Sequence, residues 1–234
     1  MPWKKRSFLN FSPSAFLPVR QTGRNARGGA KIYFILDTEV SGYNRLWDVA
    51  RQAIEGGVDI IQLRDKKGLA KDILKFSEKI LKFLKGRIPF IINDRVDVAC
   101  ALGASCVHIG QGYLPLSFAR KMLGKEATIG VSCQTLLQAR RAEDEGADCI
   151  GFGSVFKTKT KPWRRPMDLI RLVEVNRKIK IPVFAIGGID LKNAGVLSQL
   201  GIRRIAVCCS ICESPHIQQA VRALKKKFPP SSST

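Results

Sequence analysis

The sequence predicts a single (β/α)8 TIM barrel, and three observations carry that prediction. Short apolar, β-rich runs recur from Lys31 onward, each is followed by a helix-like stretch, and eight such units fit into about 200 residues. Alternation of strand and helix argues a parallel sheet, and eight units in that length argue a closed barrel rather than an open doubly wound sheet. The near-continuous hydrophobicity of the runs agrees, because parallel strands are covered on both faces.

The runs lie at residues 31–37, 59–64, 89–93, 106–110, 128–132, 149–153, 182–187 and 205–209. Between them, Leu46 to Ile54, Ile73 to Leu84 and Leu136 to Ala142 place apolar residues three and four apart, the spacing of one helix face. Gly56, Gly146 and Gly201 stand where helices end on a glycine cap. Gly-Val-Asp at 57–59 and Gly-Ala-Asp at 146–148 then lead into strands, a recurrence that marks repeated βα units.

A chain of 234 residues, 45% hydrophobic and 25% charged, is globular in composition. No stretch approaches the roughly 18 apolar residues of a membrane span, and the amino terminus lacks an apolar run ending in a cleavage site. The expectation is a soluble cytoplasmic protein with no membrane partner. The formal net charge of +21 attracts anions of every kind. Part of it is peripheral: residues 1–30 carry Lys4, Lys5, Arg6, Arg20, Arg24 and Arg27 with no acidic residue and no periodic apolar pattern. That segment reads as a disordered basic arm, with a transit peptide as the alternative, ahead of a barrel at 31–228 and a disordered tail at 229–234. The remaining basic residues are dispersed among helices rather than interleaved with aromatics, so nucleic acid is not an expected partner. A homo-oligomer remains open.

Seven cysteines are an odd number, and Cys100, Cys106, Cys149 and Cys208 sit in apolar runs where a small buried thiol packs well. Reduced thiols are the simpler account. Cys209 and Cys212 form a C-x-x-C, but a structural zinc site needs two further ligands and His108 and His216 are the only histidines.

In such a barrel the carboxyl ends of the strands form the active mouth. Here those ends are polar. The second ends in Gln62, Arg64 and Lys66, whose alternation brings two positive charges and an amide to one side. An arginine fork and a lysine point charge together suit a diphosphate, the alternative being a solvated rim. The third strand ends in Asn93 and Asp94, a carboxylate able to ligate a hard cation such as Mg2+ or to cap a helix. The fourth runs through His108 and Gln111 and the fifth ends at Ser132. The sixth is followed by Thr158, Thr160 and Lys161, and the seventh by Gly187 and Gly188, whose backbone N–H groups can approach an anion where these barrels frequently bind phosphate.

Taken in order, IQLRDK, INDRVDVA, VHIGQ, GVS, GFGSVFKTKTK and AIGGI resemble the thiamine-phosphate synthase and thiazole tautomerase family, over roughly residues 31–226. The resemblance implies a transferase that joins a hydroxymethylpyrimidine diphosphate to a thiazole phosphate and releases pyrophosphate. It implies that Gln62, Leu63, Arg64, Asp65, Lys66, Asn93, Ser132 and Lys161 hold the pyrimidine diphosphate, and that Asp94 holds Mg2+. Thr158, Lys159, Thr160, Gly188 and the Cys208–Cys209 step would hold the thiazole phosphate. Arg64, Lys66 and Lys161 would be catalytic by stabilising the departing anion, and no general base is obligatory because the thiazole nitrogen already carries a lone pair.

Three departures stand out. Tyr113 occupies the position of a second metal-binding aspartate, and a phenol is a poor Mg2+ ligand at neutral pH. Cys209 replaces a serine near the phosphate, and the loop after Lys161 is the stiff, basic Pro162-Trp163-Arg164-Arg165-Pro166. The alternatives are a thiazole tautomerase, which relies on a histidine where this chain has Gln134, or a non-catalytic barrel that binds a phosphorylated thiamine precursor.

Overall fold

The computed structural model describes residues 31–229, so the expected arm at 1–30 and residues 230–234 of the expected tail lie outside the described residues. Strands β1 (Ile32–Asp37), β2 (Ile60–Arg64), β3 (Phe90–Asn93), β4 (Cys106–Ile109), β5 (Thr128–Cys133), β6 (Cys149–Phe152), β7 (Val183–Ile186) and β8 (Ile205–Val207) pair in parallel in chain order. β8 returns to β1 through Ile205 beside Ile32 and closes the barrel. The helices are α1 (Thr38–Gly56), α2 (Ala70–Leu84), α3 (Val96–Ala101), α4 (Leu116–Leu123), α5 (Leu136–Asp144), α6 (Leu169–Lys178), α7 (Ala194–Gln199), α8 (Cys209–Cys212) and α9 (Ile217–Lys227). Among the described residues no helix is long and apolar enough to cross a membrane.

The period of two along each strand divides the core into two clusters. Phe34, Leu36, Ile61, Leu63, Ile92, Val107 and Ile150 point outward and pack with the apolar faces of the helices. Tyr33, Ile35, Ile60, Ile91, Cys106, Cys149, Phe184 and Ala206 fill the barrel interior. Moving toward the carboxyl ends, the inward positions become polar: Gln62 follows Ile60, and His108 follows Cys106.

The two Gly-x-Asp triplets perform the same task at the opposite end. Asp59 accepts from the backbone N–H groups of Lys31 and Ile32 at 3.0 and 2.9 Å, and Asp148 accepts from that of Ile129 at 2.8 Å while pairing with Arg120 at 2.8 Å. Each aspartate satisfies amides at the start of the preceding strand, so the recurrence in sequence is a recurrence in structure.

Three expectations need correction. The left-handed cap of α1 is Gly57, with φ 95°; Gly56 is still helical, and a Cβ on it would lie 2.9 Å from Val221. The eighth strand stops at Val207, and Cys209 opens the short helix α8 instead of ending the strand. Cys100 is exposed, because the short α3 carries it on the solvent side.

Candidate functional site

A cavity of about 510 Å³ opens at the carboxyl ends of the strands. Its floor is polar but uncharged. The Gln62 amide donates to the Tyr33 hydroxyl at 2.7 Å, and burial raises the Tyr33 phenol well above its ordinary pKa. His108 lies within hydrogen-bond distance of the Ser132 hydroxyl, Nε2 to Oγ 3.0 Å. Burial pushes its imidazole down to about 4, against the pull of Asp94 and with the push of Lys161, so the ring is neutral at physiological pH. Two strand glycines make room for it: a Cβ on Gly130 would stand 2.5 Å from Nδ1 and one on Gly151 3.3 Å from Cε1.

The rim is cationic. Arg64, at the end of β2, donates to Asp37 at 2.5 Å and to Glu39 at 3.1 Å. Burial works against its charge, and the two carboxylates more than offset this, so its pKa is raised. Asp37 is itself buried at the end of β1, where it also caps α1 through the Glu39 N–H at 2.9 Å. Lys66, in the loop beyond β2, pairs with Asp94 and donates to the Tyr113 hydroxyl at 2.6 Å, its nitrogen 4.0 Å from the ring centroid. Lys161 has no ion pair or hydrogen bond from its side chain among the described residues. Burial pushes its ammonium down to about 8, and repulsion from Arg164, Arg64 and Lys66 adds to this against the attraction of Asp94.

The other end of the cavity is built from backbone. Gly187 and Gly188 both have positive φ, 105° and 65°. A Cβ on Gly187 would meet the Ser154 Oγ at 2.2 Å, and one on Gly188 would meet the Lys157 carbonyl at 2.2 Å. Only glycine lets the loop after β7 lie this close to the loop after β6. Thr158 and Thr160 share a hydroxyl–hydroxyl contact of 3.1 Å there, and Cys208 and Cys209 enter from β8 and α8. Loops after the seventh and eighth strands together with a short extra helix form the usual phosphate end of a (β/α)8 barrel.

Of the residues singled out from sequence, Gln62, Arg64, Asn93, Ser132, Thr158, Lys159, Thr160, Lys161, Gly188, Cys208 and Cys209 line this cavity. Lys66 and Asp94 line an adjoining space of about 150 Å³ that shares Arg64, Asn93, Ser132 and Lys161 with it. Lys159 is paired with Glu213 at 2.7 Å. Leu63 and Asp65 do not line either space. Leu63 packs outward against the helices, while Asp65 accepts from the Tyr43 hydroxyl and from the N–H groups of Lys67 and Gly68, holding the loop after β2. Sequence reasoning missed Asp37 and Tyr33, and it named Arg164 only with Arg165 as part of the basic loop after Lys161, without telling which of the two enters the site. Asp37 was detectable by the same strand-end rule, since it closes the first strand as Lys66 and Asp94 follow the second and third.

Asp94 has φ 60° and does not cap α3, whose first turn is preceded by Arg95. Its carboxylate accepts from the Gly110 N–H at 2.8 Å and the Asn93 amide at 2.6 Å, besides pairing with Lys66. It is the one carboxylate lining the adjoining space among the described residues, and the Tyr113 hydroxyl opposite is engaged by Lys66. A divalent cation would find one anionic side chain with a lysine already on it. One carboxylate with substrate phosphates can hold Mg2+, but here that carboxylate is already neutralised by the Lys66 ammonium, and on that ground the residues present do not fit the Mg2+ that the family resemblance implies.

Fold and site together define an enzyme of the (β/α)8 class whose mouth carries a cationic cleft for a phosphorylated small molecule. The sequence profile described as thiamine monophosphate synthase matches residues 32–211, and the chain belongs to that family. It is similar to the thiamine-phosphate synthase of Roseiflexus sp. (strain RS-1), 39% identical over 199 residues that cover 84% of each chain. It is 42% identical to that of Chlorobium phaeovibrioides (strain DSM 265 / 1930) over 182 residues, 76% of this chain and 87% of the relative. Among solved structures, a thiamine phosphate pyrophosphorylase from Pyrococcus furiosus has a TM-score of 0.77 at 33% identity, covering 86% of this chain and 96% of that one. A 3-hexulose-6-phosphate synthase, TM-score 0.63 at 16% identity, shares the fold.

Proposed function

We propose that this protein is a thiamine-phosphate synthase, joining hydroxymethylpyrimidine diphosphate to a thiazole phosphate with release of pyrophosphate. The observation that carries the reading is the convergence of Arg64, Lys66 and Lys161 on one side of a cavity whose far end is the Gly187–Gly188 backbone. One end suits a diphosphate and the other a single phosphate, with a neutral floor of Gln62, Tyr33 and His108 between them for uncharged rings.

The pyrimidine is electron-rich enough to support a cation at its methylene carbon as the C–O bond to the diphosphate breaks. The thiazole nitrogen then donates its lone pair to that carbon, forming the C–N bond, and the diphosphate leaves with the bond electrons. Charge develops on the leaving oxygen, so the step gains most from fixed cations, and Lys161 is placed to act there without an acid of its own to satisfy. Arg64 is held in one orientation by Asp37 and Glu39 and presents its remaining N–H groups to the cavity. The neutral His108 positions Ser132 by hydrogen bonding. The tautomerase alternative has no support at Gln134, an exposed residue outside the cavity. The seven free thiols fit a reducing cytoplasm.

The test is direct: incubation of the purified protein with both precursors, with thiamine phosphate and pyrophosphate quantified by chromatography. The reading requires stoichiometric formation of the two products. Binding of either precursor without any product would instead support a non-catalytic barrel.

A further inference from the structure

The loop after Lys161 puts an additional arginine into the cleft. Two prolines, Pro162 and Pro166, bracket a turn that the Arg164 N–H closes on the Lys161 carbonyl at 3.0 Å. Each proline limits the backbone, so the turn is stiff and the direction of its side chains is set. Trp163 and Arg165 face solvent, whereas Arg164 is half-buried and lines both the main cavity and the adjoining space. Among the described residues its side chain has no ion pair or hydrogen bond. Burial lowers its pKa with no acidic neighbour to offset the effect.

A partly desolvated guanidinium without a counter-ion is unfavourable in the free protein, and a bound anion removes that penalty. Lys161, three residues earlier, likewise has no ion-pair partner among the described residues, with only the attraction of Asp94 acting against its desolvation. Across the adjoining space stand Tyr113, in place of a second carboxylate, and Lys66, already paired with Asp94. Relative to a two-carboxylate metal centre, this chain has one anionic side chain fewer on one wall and one guanidinium more on the other.

We propose that Arg164 binds the diphosphate of the substrate and, together with Lys66 and Lys161, supplies the positive charge there without a divalent cation. The proposal rests on the synthase reading for the identity of the anion. A guanidinium offers two parallel N–H donors to phosphate oxygens, which a metal ion held by a single carboxylate cannot match in direction.

The experiment is titration calorimetry of the full-length protein with inorganic pyrophosphate, in EDTA and in Mg2+, on wild type, Arg164→Ala and Arg165→Ala. Wild type is expected to bind in EDTA, with Mg2+ changing Kd less than about threefold. Arg164→Ala should weaken binding by about 10–100-fold, as loss of a charge-assisted pair does, with an unchanged circular dichroism spectrum. Arg165→Ala should bind as wild type. Pyrophosphate binding that requires Mg2+, unchanged affinity in Arg164→Ala, or equal losses in both arginine variants would each overturn the proposal. So would tight Mn2+ binding by the wild type without pyrophosphate, read by electron paramagnetic resonance. Thiamine phosphate formation is followed separately. If pyrophosphate binds through Arg164 and no thiamine phosphate forms, the synthase reading fails while the anion site stands.

Discussion

Lys161 is the charge in this cleft that the medium can remove, because burial holds its pKa at about 8 rather than in the ordinary lysine range. A single group of that pKa is about nine-tenths charged at pH 7, about half charged at pH 8 and about one-tenth charged at pH 9. The ammonium, not the amine, attracts the diphosphate. The kcat/KM for the pyrimidine diphosphate should therefore fall as pH rises through 8, by about tenfold per unit above it, since this parameter reports the free enzyme. In the complex the bound anion favours the charged form, so kcat should fall only at higher pH. Lys161→Arg, whose guanidinium stays protonated, should lose the alkaline limb of kcat/KM. Lys161→Ala should lose about 10²–10³ in kcat at pH 7, where the wild-type lysine is charged, the usual cost of removing a preorganised charge from a developing anion. The effect on stability has the opposite sign. The folded-state pKa lies below the unfolded one, so the unfolded chain binds more protons between about pH 8 and 10, and ligand-free stability from this group rises with pH across that window. Steady-state profiles from pH 7 to about 9.5 on the three proteins test the reasoning. A flat wild-type kcat/KM, or the same limb in Lys161→Arg, would refute it.

Other perturbations give distinct signatures. Arg64→Ala should reduce turnover by about 10²–10³ and also destabilise the fold by about 3–5 kcal/mol, because it strands the buried Asp37 carboxylate. Calorimetric melting should show much of that stability restored by adding Asp37→Asn, with no recovery of activity. Gly188→Ala forces a Cβ against the Lys157 carbonyl at a positive φ. It should cost about 1–3 kcal/mol and raise the KM for the thiazole phosphate more than that for the pyrimidine diphosphate, which two-substrate kinetics separates. Residues 1–29 carry six basic and no acidic residues and no apolar periodicity, so their deletion should leave Tm and turnover nearly unchanged. A large drop in either would show that this segment contributes to the barrel.

The eight strands were legible because each is a short apolar run bounded by turn residues, and a parallel sheet covered on both faces leaves that trace in any sequence. The polar strand ends were legible too, since a residue that stands where packing ends need not be apolar. Alternation alone separated Gln62 and Arg64 from Leu63, and the outward packing of Leu63 follows from it. The charge partners could not be read along the chain. Asp37 reaches Arg64 because parallel pairing sets β1 beside β2 with Asp37 and Arg64 in register, 27 positions apart in sequence. Lys66, Asp94 and Tyr113 meet because three successive loops converge on one mouth. Arg164 turns inward and Arg165 outward because of a single stiff turn between two prolines. Residue types and strand ends thus determined that this protein has a cationic, phosphate-directed mouth on a (β/α)8 barrel. Which charges are neutralised there and which remain open to an anion was decided by tertiary structure, because electrostatic pairing depends on distances of a few ångströms between segments that the linear sequence keeps far apart.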